Sequence, residues 1–588
     1  MNPIQRLLTE NIGLWTGADT AKKTGRGRAS GSAGTVYGIK KLRELILELA
    51  VRGKLVPQDS DDEPANALLA RIREEKARLV LDGKIKKDKP LAAITDDERP
   101  FELPQGWEWS TLATISQVNP RNIANDNSTV SFVPMTMIGA RFNSSHDQDI
   151  RLWKEVKQAF THFAEGDIGI AKITPCFENS KACVFSGLQN KIGAGTTELH
   201  IIRPINSTLA PRYVLAYLKS PQFLLVGETR MTGTAGQKRL PKEFVESNPF
   251  PLPPLAEQHR IVAKIDELMA LCDQLEAGHV DAVDAHETLV SHLLATLTGS
   301  KDSADFSASW QRIAAHFDML FTTEASIDAL KQTLLQLAVM GKLVPQDPSD
   351  EPASALLERI QVEKAKLVFE GHIKKDKPLA TIPGNDKPFE LPQGWEWTRM
   401  INCAKQITDG EHLTPERTID ATQIPLVTAK NVRDGNMDYS VTDYVPLDIA
   451  TKCWNRCRPE PNDILIVSVG ATIGRLTIID DHQDMVIVRS VTLIKPLLIK
   501  VKYLALGLRS PTLQEYIWGG VKKNAQPCLY LSVSNSLPIP VPPLLEQERI
   551  VAKVDELMAL CDRMKKRIAD AGALQRKLAD VIVAQAVA

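Results

Sequence analysis

Apolar residues recur at helical spacing in two pairs of segments along the 588-residue chain. The first pair has the 3-4-3 spacing of one helix face, and its members are Ile39, Leu42, Ile46 and Leu49, then Ile327, Leu330, Leu334 and Leu337. Each helix is predicted to end at the phrase GKLVPQD, where Gly53 or Gly341 adopts a left-handed conformation before a proline. A second helix is predicted to follow, from near Pro64 to Gly83 and from near Pro352 to Gly371.

The second pair repeats apolar residues every seven positions, which is the spacing of a coiled-coil seam. The first seam is interrupted near Gly278 and comprises Ile261, Ile265, Leu268, Cys272, Leu275, Ala282, Leu289 and Leu293. The second comprises Ile550, Val554, Leu557, Cys561, Met564, Ile568, Ala571 and Leu578. Both patterns predict long helices.

These helices belong to a duplicated frame. Residues 63–92 match 351–380 at 22 of 30 positions, PFELPQGWEW at 100–109 recurs at 388–397, and residues 252–273 match 541–562 at 18 of 22 positions. The segments between these matches, 110–248 and 398–537, are unlike each other. A frame that binds the same partner twice would keep both copies alike. We therefore predict partner contacts for residues of the repeated phrases, namely Trp107, Trp109, Trp395, Trp397, Glu257, Arg260, Glu546 and Arg549.

Both inserts mix short β-branched runs with turn residues, as in GDIGIAKITP (166–175) and NDILIVSVGATIGRLTII (462–479), and this pattern predicts mixed globular domains with several strands. Each ends in a polar, glycine-bearing stretch, MTGTAGQKRLPKEF (231–244) or GGVKKNAQPCLYLS (519–532). Glycine, amide and basic residues together suit contact with phosphates and base edges, although an ordinary solvated loop is the alternative. The candidate DNA-binding residues are Lys172, Thr174, Thr232, Thr234, Gln237, Lys238 and Arg239 in the first insert, and Lys430, Asn431, Arg433, Arg475, Lys522, Lys523 and Asn524 in the second.

The net charge of −1 conceals an uneven distribution. Residues 110–248 hold 15 Lys and Arg against 11 Asp and Glu, and residues 398–537 hold 16 against 14, so any polyanion contact is expected on the inserts. No apolar run reaches the roughly 18 residues of a membrane span, and the N-terminus lacks the order of a secretory signal. These features favour a cytoplasmic protein without a membrane partner.

The sequence contains no recognisable catalytic motif. A GxxxxGK[ST] phosphate loop and a strand–GxGxxG–helix pattern are both missing. The prolines of LPPLAEQ and VPPLLEQ lack the preceding polar residue and the following aromatic residue of an amino-methyltransferase loop. Eight cysteines are too sparse for a disulfide framework and offer no paired zinc-site spacing. We expect a non-catalytic chain with neither a metal nor a cofactor of its own.

These phrases resemble those of the specificity subunits of type I restriction-modification systems, over nearly the whole chain after about residue 38. LPPLAEQHRIVAKIDELMALCD and VPPLLEQERIVAKVDELMALCD look like the family's exit from each target recognition domain, and PFELPQGWEW resembles the entry. MTGTAGQKRLP is similar to the family's glycine-rich turn, whereas KKNAQPCLYLS in the second insert departs from it.

The resemblance implies an α+β fold in which two mixed α/β globular target recognition domains are separated by long conserved helices. These helices form an antiparallel coiled coil, and the whole is a pseudo-twofold tandem duplication. The implied boundaries are a partly flexible N-terminal extension at 1–37, a helical region with the entry segment at 38–109, a first recognition domain at 110–250, a central helical region at 251–397, a second recognition domain at 398–537 and a C-terminal helix at 538–588.

The resemblance also implies that each recognition domain reads one half of a split site in double-stranded DNA. The frame is expected to dock two methyltransferase subunits and set the half-site spacing, and motor–nuclease restriction subunits are expected to join that core. S-adenosylmethionine, ATP and Mg²⁺ would then belong to those partners. The residues alone leave two alternatives open, namely a single-chain DNA methyltransferase or nuclease with an unrecognised site, and a coiled-coil adaptor without a DNA role.

Overall fold

The structure is a computed structural model that describes residues 10–17, 36–86, 91–205, 208–234, 236–384, 387–413, 415–480, 483–521 and 527–587. The chain divides into two compact units, called here unit 1 (Met1–Ala282 with Ala571–Ala588) and unit 2 (Val283–Asp570). Most of the N-terminal extension at 1–37, which is predicted to be partly flexible, lies outside the described residues.

Unit 1 combines a helical frame with a mixed insert. Its helices are α1 (Ile12–Gly17), α2 (Tyr37–Val51), α3 (Ala65–Leu81), α4 (Leu112–Ile115), α5 (Trp153–Val156), α6 (Pro211–Leu218), α7 (Pro221–Arg230) and α8 (Lys242–Ser247). Its strands are β1 (Glu108–Thr111), β2 (Ser116–Val118), β3 (Thr129–Val133), β4 (Asp149–Leu152), β5 (Thr161–Ala164), β6 (Ile168–Ala171), β7 (Ala182–Val184), β8 (Ile192–Gly195), β9 (Leu199–Pro204) and β10 (Pro249–Leu252). They form sheets of order β2-β9-β6-β7 and β4-β3-β8-β5, and β1 pairs separately with β10. The long helix α9 (Leu255–Thr298) follows.

Unit 2 repeats this plan with different lengths. Its helices are α10 (Ser303–Ala315), α11 (Phe317–Leu320), α12 (Glu324–Val339), α13 (Ala353–Phe369), α14 (Leu447–Trp454), α15 (Val501–Arg509), α16 (Pro511–Gly519) and α17 (Leu531–Ser536). Its strands are β11 (Glu396–Arg399), β12 (Ala404–Asp409), β13 (Ile424–Val427), β14 (Asp443–Val445), β15 (Ile464–Val467), β16 (Leu476–Ile478), β17 (Val486–Ile487), β18 (Val491–Pro496) and β19 (Pro538–Val541). They form sheets of order β12-β18-β15-β16 and β14-β13-β17, and β11 pairs with β19. The long helix α18 (Leu544–Val587) ends the chain.

The strands predicted from GDIGIAKITP and NDILIVSVGATIGR are confirmed as β6 and β15, and every residue of both strands is buried. Each lies inside its sheet because an antiparallel neighbour flanks it on both sides. A strand buried in this way needs apolar residues at successive positions, which explains the continuous runs Ile-Gly-Ile-Ala and Ile-Leu-Ile-Val.

Each insert is bracketed by a two-stranded antiparallel ribbon. β1 pairs with β10, and Glu108 lies opposite Leu252. β11 pairs with β19, and Glu396 lies opposite Val541. The chain therefore enters and leaves each insert at the same place, beside the start of a long helix.

The frame helices have the predicted positions, and α2, α12, α3 and α13 all begin and end within a few residues of the expected bounds. Gly53 and Gly341 follow α2 and α12 with φ angles of 66° and 69°, as the sequence predicts. A Cβ on Gly53 would lie 2.4 Å from Pro104 Cγ and 3.0 Å from Trp107, so no larger residue fits there. The phrases GKLVPQD and ELPQGWEW are thus packed against each other.

The two long helices confirm the predicted seams over their first three heptads. The buried positions are Ile261, Ile265, Leu268, Cys272, Ile550, Val554 and Cys561. Further along, the prediction is wrong, because Ala282, Leu289, Ala571 and Leu578 are exposed and the next residues after two of them, Val290 and Ala579, are buried instead. A straight helix drifts by about 20° per heptad. Four heptads therefore move the buried face by nearly one residue.

Each long helix contributes to both units. Residues 255–282 of α9 and 571–587 of α18 belong to unit 1, and the remaining residues of both helices belong to unit 2. Opposite ends of the two helices therefore share a unit, as an antiparallel pair requires. In unit 1 the end of α18 packs into the main core through Ala579, Ile582 and Val583.

Part of the N-terminal extension is built into unit 1. Trp15 in α1 is fully buried in the main core, and a Cβ on Gly38 would lie 2.3 Å from the Trp15 carbonyl oxygen. The first turn of α2 therefore packs directly on α1. The extension contributes to the core through this tryptophan.

Candidate nucleic-acid interface

The glycine-bearing stretch of the first insert is an ordered loop. Thr232 and Arg239 exchange both backbone hydrogen bonds, at 3.0 and 2.8 Å. The backbone N–H of Gln237 donates to the Thr234 carbonyl at 3.0 Å. Gly233 has a φ of 124°, and a Cβ on it would lie 3.0 Å from the Gln237 carbonyl oxygen. The loop can therefore close tightly only with glycine at this position.

This loop pairs with the segment that follows β6. The Leu240 amide donates to the Lys172 carbonyl at 2.7 Å, and the Thr174 amide donates to the Lys238 carbonyl at 3.0 Å. The structure therefore brings together all seven residues predicted for DNA binding in the first insert. Lys172 and Thr174 are half-buried, and the five from the loop are exposed.

A third segment, which no sequence motif predicted, completes this surface. The Lys172 amide donates to the carbonyl of Glu198 at 2.9 Å, which places the turn before β9 beside the other two segments. The surface formed by residues 172–174, 196–198, 232–234 and 236–240 is called recognition surface 1.

The cations of recognition surface 1 differ in their partners. Arg239 forms a bidentate ion pair with Glu198, with both N–O distances at 2.9 Å. Hydrogen bonds from Arg239 lower the pKa of the Glu198 carboxyl, which favours its ionised form. Lys238 is exposed and has no ion pair within the described part of the chain. It is thus the cation that is most available to an anionic ligand.

Unit 2 builds the same three-segment framework with other residues. The Leu529 amide donates to the Ser468 carbonyl at 2.8 Å, and the Gly470 amide donates to the Pro527 carbonyl at 3.0 Å. The Ser468 amide donates to the Ser490 carbonyl at 2.9 Å, as Lys172 does to Glu198. The surface formed by residues 468–470, 488–490 and 527–529 is called recognition surface 2.

The residues predicted for DNA binding in the second insert are more scattered. Lys430 lies 3.7 Å from Asp443, and Arg433 pairs with Asp438 at 2.9 Å. Arg475 is half-buried, and its carbonyl accepts from the Val467 amide at the end of β15. Lys522, Lys523 and Asn524 lie outside the described residues.

Asn431 has a different role from the predicted one. It is fully buried, and its amide nitrogen donates to the Asp438 carbonyl, the Val441 carbonyl and the Thr442 hydroxyl. Its side-chain oxygen accepts from the Thr428 amide at 3.0 Å. The side-chain nitrogen and oxygen of Asn431 are thus both hydrogen-bonded within the protein. Asn431 therefore stabilises the loop and presents no free amide edge to a base.

Arg489 is a basic residue that the sequence analysis missed. It is exposed on recognition surface 2, and its carbonyl accepts from the Ser468 hydroxyl at 3.2 Å. Arg489 follows β17 in the sequence VIVRS, whose β-branched residues predict an ordinary strand. No neighbouring glycine or amide residues indicate a DNA contact there.

Half of the residues predicted to bind a partner lie inside the frame, as one hydrogen-bonded pair in each unit. The Trp107 indole Nε1 donates to Glu257 at 2.9 Å, and the Trp395 indole Nε1 donates to Glu546 at 3.0 Å. Both tryptophans are 5% exposed, and burial raises the pKa of both carboxyls. These four residues therefore have an internal role rather than a surface for a partner.

The remaining predicted partner residues are more accessible. Arg260 pairs with Asp62, and Arg549 pairs with Asp350, each with a shortest distance of 2.5 Å. Trp109 and Trp397 are half-buried against Phe101 and Phe389, at ring distances of 5.1 and 5.0 Å. These residues hold the entry phrase and still reach solvent.

The described residues contain no group of three or more His, Cys, Asp or Glu that could hold a metal ion. In the same part of the chain, no helix is both long and apolar enough to cross a membrane.

Residues 104–284 and 434–571 match the family model of the type I restriction modification DNA specificity domain, and together they make up more than half of the chain. The chain belongs to this family. The specificity subunit of the type I restriction enzyme EcoAI from Escherichia coli is 47% identical over 592 residues, covering 99% of this chain and 100% of the relative. The EcoEI specificity subunit from the same organism is 45% identical over 590 residues, covering 98% and 99%.

Solved structures from type I systems are also similar. A chain from work on complex assembly and conformational transition of the type I R-M system has a TM-score of 0.46 at 18% identity, covering 83% of this chain and 99% of its own. The HsdS subunit from Thermoanaerobacter tengcongensis has a TM-score of 0.39 at 19% identity, covering 83% and 98%.

The family membership decides between the alternatives that the sequence left open. The chain is a DNA specificity subunit of a type I restriction-modification complex and not an enzyme in its own right. Neither the single-chain methyltransferase or nuclease nor the adaptor without a DNA role is supported.

Proposed function

We propose that recognition surfaces 1 and 2 each read one half of a bipartite site in double-stranded DNA. The observation that carries this proposal is that one backbone framework presents different side chains in the two units. The same three segments meet through matching hydrogen bonds, yet Lys172, Glu198 and Arg239 stand where unit 2 has Ser468, Ser490 and Cys528. A shared framework with unlike side chains suits two readers of unlike sequences.

Within recognition surface 1, the roles follow from charge and exposure. Lys238 is a long, flexible cation without an ion pair among the described residues, which suits a phosphate, where position matters less than charge. Gln237 is an exposed amide beside it, and an amide can donate to and accept from an adenine edge at the same time. Thr174, Thr232 and Thr234 add hydroxyl groups to the same surface. In unit 2 we assign contact with DNA to Arg489, together with Lys430, Arg433, Arg475, Lys522, Lys523 and Asn524.

The frame is proposed to hold two copies of one methyltransferase subunit, one per repeat, with restriction subunits joining this core. Arg260, Arg549, Trp109 and Trp397 remain the proposed contacts, because each reaches solvent. S-adenosylmethionine, ATP and Mg²⁺ are used by the partner subunits. Because double-stranded DNA is the proposed ligand, we place the complex in the cytoplasm. Native mass spectrometry of the co-expressed complex is expected to give two methyltransferase subunits for each copy of this chain.

Salt-titrated binding of the assembled methyltransferase tests the proposed readers. Lys238→Ala is expected to weaken binding to every duplex and to reduce the salt slope by about one. Gln237→Ala is expected to cost about 1–3 kcal/mol on the cognate first half-site and to leave the slope unchanged. Lys242→Ala is the matched control, because Lys242 is bonded to Glu246 on α8 at 2.6 Å. If Lys238→Ala and Gln237→Ala both behave like this control, recognition surface 1 is not the reader.

A further inference from the structure

Arg239 and Glu198 form a fixed pair at the centre of recognition surface 1. Arg239 Nε lies 2.9 Å from one carboxylate oxygen of Glu198, and Nη2 lies 2.9 Å from the other. The two residues are 41 positions apart and come from different segments of the surface. A pair of this length and bidentate geometry is directional as well as electrostatic.

The backbone of both residues is held in place. Arg239 bridges to Thr232 on one side and to Ile173 on the other, in antiparallel fashion. The Glu198 carbonyl accepts from the Lys172 amide at 2.9 Å, and the Glu198 amide donates to the Thr196 hydroxyl at 3.2 Å. The guanidinium is therefore restrained by its own backbone and by the carboxylate.

The outer edge of Arg239 has the geometry of a base reader. Glu198 occupies the edge formed by Nε and Nη2, and Nη1 donates a long hydrogen bond of 3.5 Å to the Gln237 carbonyl. Nη1 and Nη2 each carry two N–H groups, so one N–H of each remains for a ligand. The Arg239 side chain is 47% exposed and Glu198 only 24%, so that the guanidinium is the more accessible member of the pair. Guanine presents two acceptors, O6 and N7, side by side in the major groove, and a guanidinium edge matches both at once.

We infer that Arg239 reads a guanine in the first half-site and that Glu198 is the positioning residue that aims it. The inference rests on the proposed function of recognition surface 1. This inference assigns Arg239 to a base contact. The positive charge of Arg239 alone does not distinguish a base contact from a phosphate contact.

The charges in the loop support this division of roles. An ionised Glu198 cancels the charge of Arg239, so the pair as a whole attracts a phosphate weakly while its donor edge keeps its direction. The neighbouring Lys238 has a flexible stem and no carboxylate partner in the part of the chain that the structure describes, so it is the better phosphate ligand. Unit 2 has Ser490 and Cys528 in the places of Glu198 and Arg239, so this guanine reader belongs to one half-site only.

The test uses the complex of this chain with its methyltransferase and duplexes in which each position of the first half-site is varied in turn. Wild type is expected to prefer guanine at one position. Arg239→Ala is expected to reduce that preference by about 5- to 150-fold without changing the salt slope. Arg239→Lys is expected to lose the preference as well, because lysine keeps the charge but not the fork.

The role of Glu198 is tested by coupling. Glu198→Ala is expected to reduce preference at the same position by a smaller factor, Glu198→Gln less still, and Glu198→Ala in the Arg239→Ala background is expected to add nothing. The double replacement Lys242→Ala with Glu246→Ala removes a pair on α8 with side-chain exposures of 44% and 25%, close to those of Arg239 and Glu198, and controls for the loss of an ion pair. Thermal unfolding of each complex checks that the variants are folded.

Two outcomes overturn the inference while leaving the proposed function in place. In the first, Arg239→Ala lowers the salt slope by about one and leaves base preference unchanged, which identifies a phosphate contact. In the second, wild type shows a preference but no variant at 198 or 239 alters it. A wild-type complex without preference at any position of the first half-site contradicts the proposed function itself.

Discussion

Trp107 and Glu257 are 150 residues apart and are joined by a buried hydrogen bond of 2.9 Å from the indole Nε1. Gln58 donates to the same carboxylate at 3.2 Å, and Trp395, Glu546 and Gln346 repeat the arrangement in unit 2. Gln58, Trp107 and Glu257 come from GKLVPQD, ELPQGWEW and LPPLAEQ, respectively. Mutual contact therefore accounts for much of the identity between the two copies of the frame.

The first prediction concerns this cluster. Trp107→Phe in the full chain is expected to lower the free energy of unfolding by about 1.5–3 kcal/mol, because a buried carboxylate loses a hydrogen bond. Trp395→Phe is expected to have a similar effect in unit 2. Trp109→Phe is the control, since Trp109 is half-buried and packs on Phe101. Denaturant unfolding measures the free energy of unfolding of all three variants. An equal decrease in Trp109→Phe would mean that the hydrogen bond from Trp107 to Glu257 contributes no measurable stability.

A pH effect is expected from Lys219, whose ammonium donates to the carbonyls of Ala140 and Ser180 at 2.8 and 2.6 Å. Burial lowers the pKa of Lys219 to about 7, from an ordinary value of 10.5. The folded chain therefore releases this proton near pH 7, whereas the unfolded chain keeps it up to pH 10.5. The unfolded state binds more protons in this window, so the contribution of Lys219 to stability rises with pH.

Lys219→Met is expected to remove that rise. The stability of wild type relative to the variant should increase between pH 7 and pH 9, as measured by denaturant unfolding at both values. Lys242→Met, at an exposed residue, is expected to follow wild type at both values. Parallel pH dependences for wild type and Lys219→Met would show that Lys219 does not titrate in this range.

A third prediction separates two glycines. Gly233→Ala is expected to strain the loop, because of its φ of 124° and the 3.0 Å approach to the Gln237 carbonyl. Preference should fall at the first half-site and stay intact at the second. Gly278→Ala in α9 meets nothing within 4 Å and is expected to stabilise the helix by about 0.5–1 kcal/mol. Binding to libraries of half-site sequences measures the effect of Gly233→Ala, and thermal unfolding measures the effect of Gly278→Ala. Unchanged base preference in Gly233→Ala would show that recognition does not depend on the conformation of this loop.

The fold was largely predictable from the sequence, because helix faces, stop signals and buried strands are local patterns. The candidate site was predictable in part. The loop at 231–240 and the segment at Lys172 could be identified from their glycine and basic residues, and the structure brings the two segments together. Glu198 and Arg489 carry no such signal, because their position depends on which backbone segments pair across the sheet. Asn431 has the composition of a contact residue but is buried by its own loop, and burial is set by the whole insert.

A fourth prediction concerns the spacing between the half-sites. α9 is continuous from Leu255 to Thr298 and includes residues of both units. Four residues inserted within 275–297 lengthen the helix by about 6 Å and turn it by about 40°. That rise is near two base-pair steps of about 3.4 Å. The gap between the half-sites should therefore change by about two base pairs, whereas the base sequence of each half-site should stay the same.

The sequencing of methylated sites in cells measures this change. Four residues inserted in the exposed loop at 377–383 are the control, because a loop insertion does not lengthen the helix. An active α9 insertion variant with the original spacing would show that this helix does not set the distance.

Exchange of residues 110–248 for the corresponding insert of another family member tests the central claim most directly. The frame contacts around Trp107 and Glu257 lie outside the exchanged segment, so the hybrid is expected to assemble with the same methyltransferase. Sequencing of methylated sites in cells carrying the hybrid is predicted to show a new first half-site beside an unchanged second one. A change in both halves, or an active hybrid with the original site, would contradict the assignment of one reader to each unit.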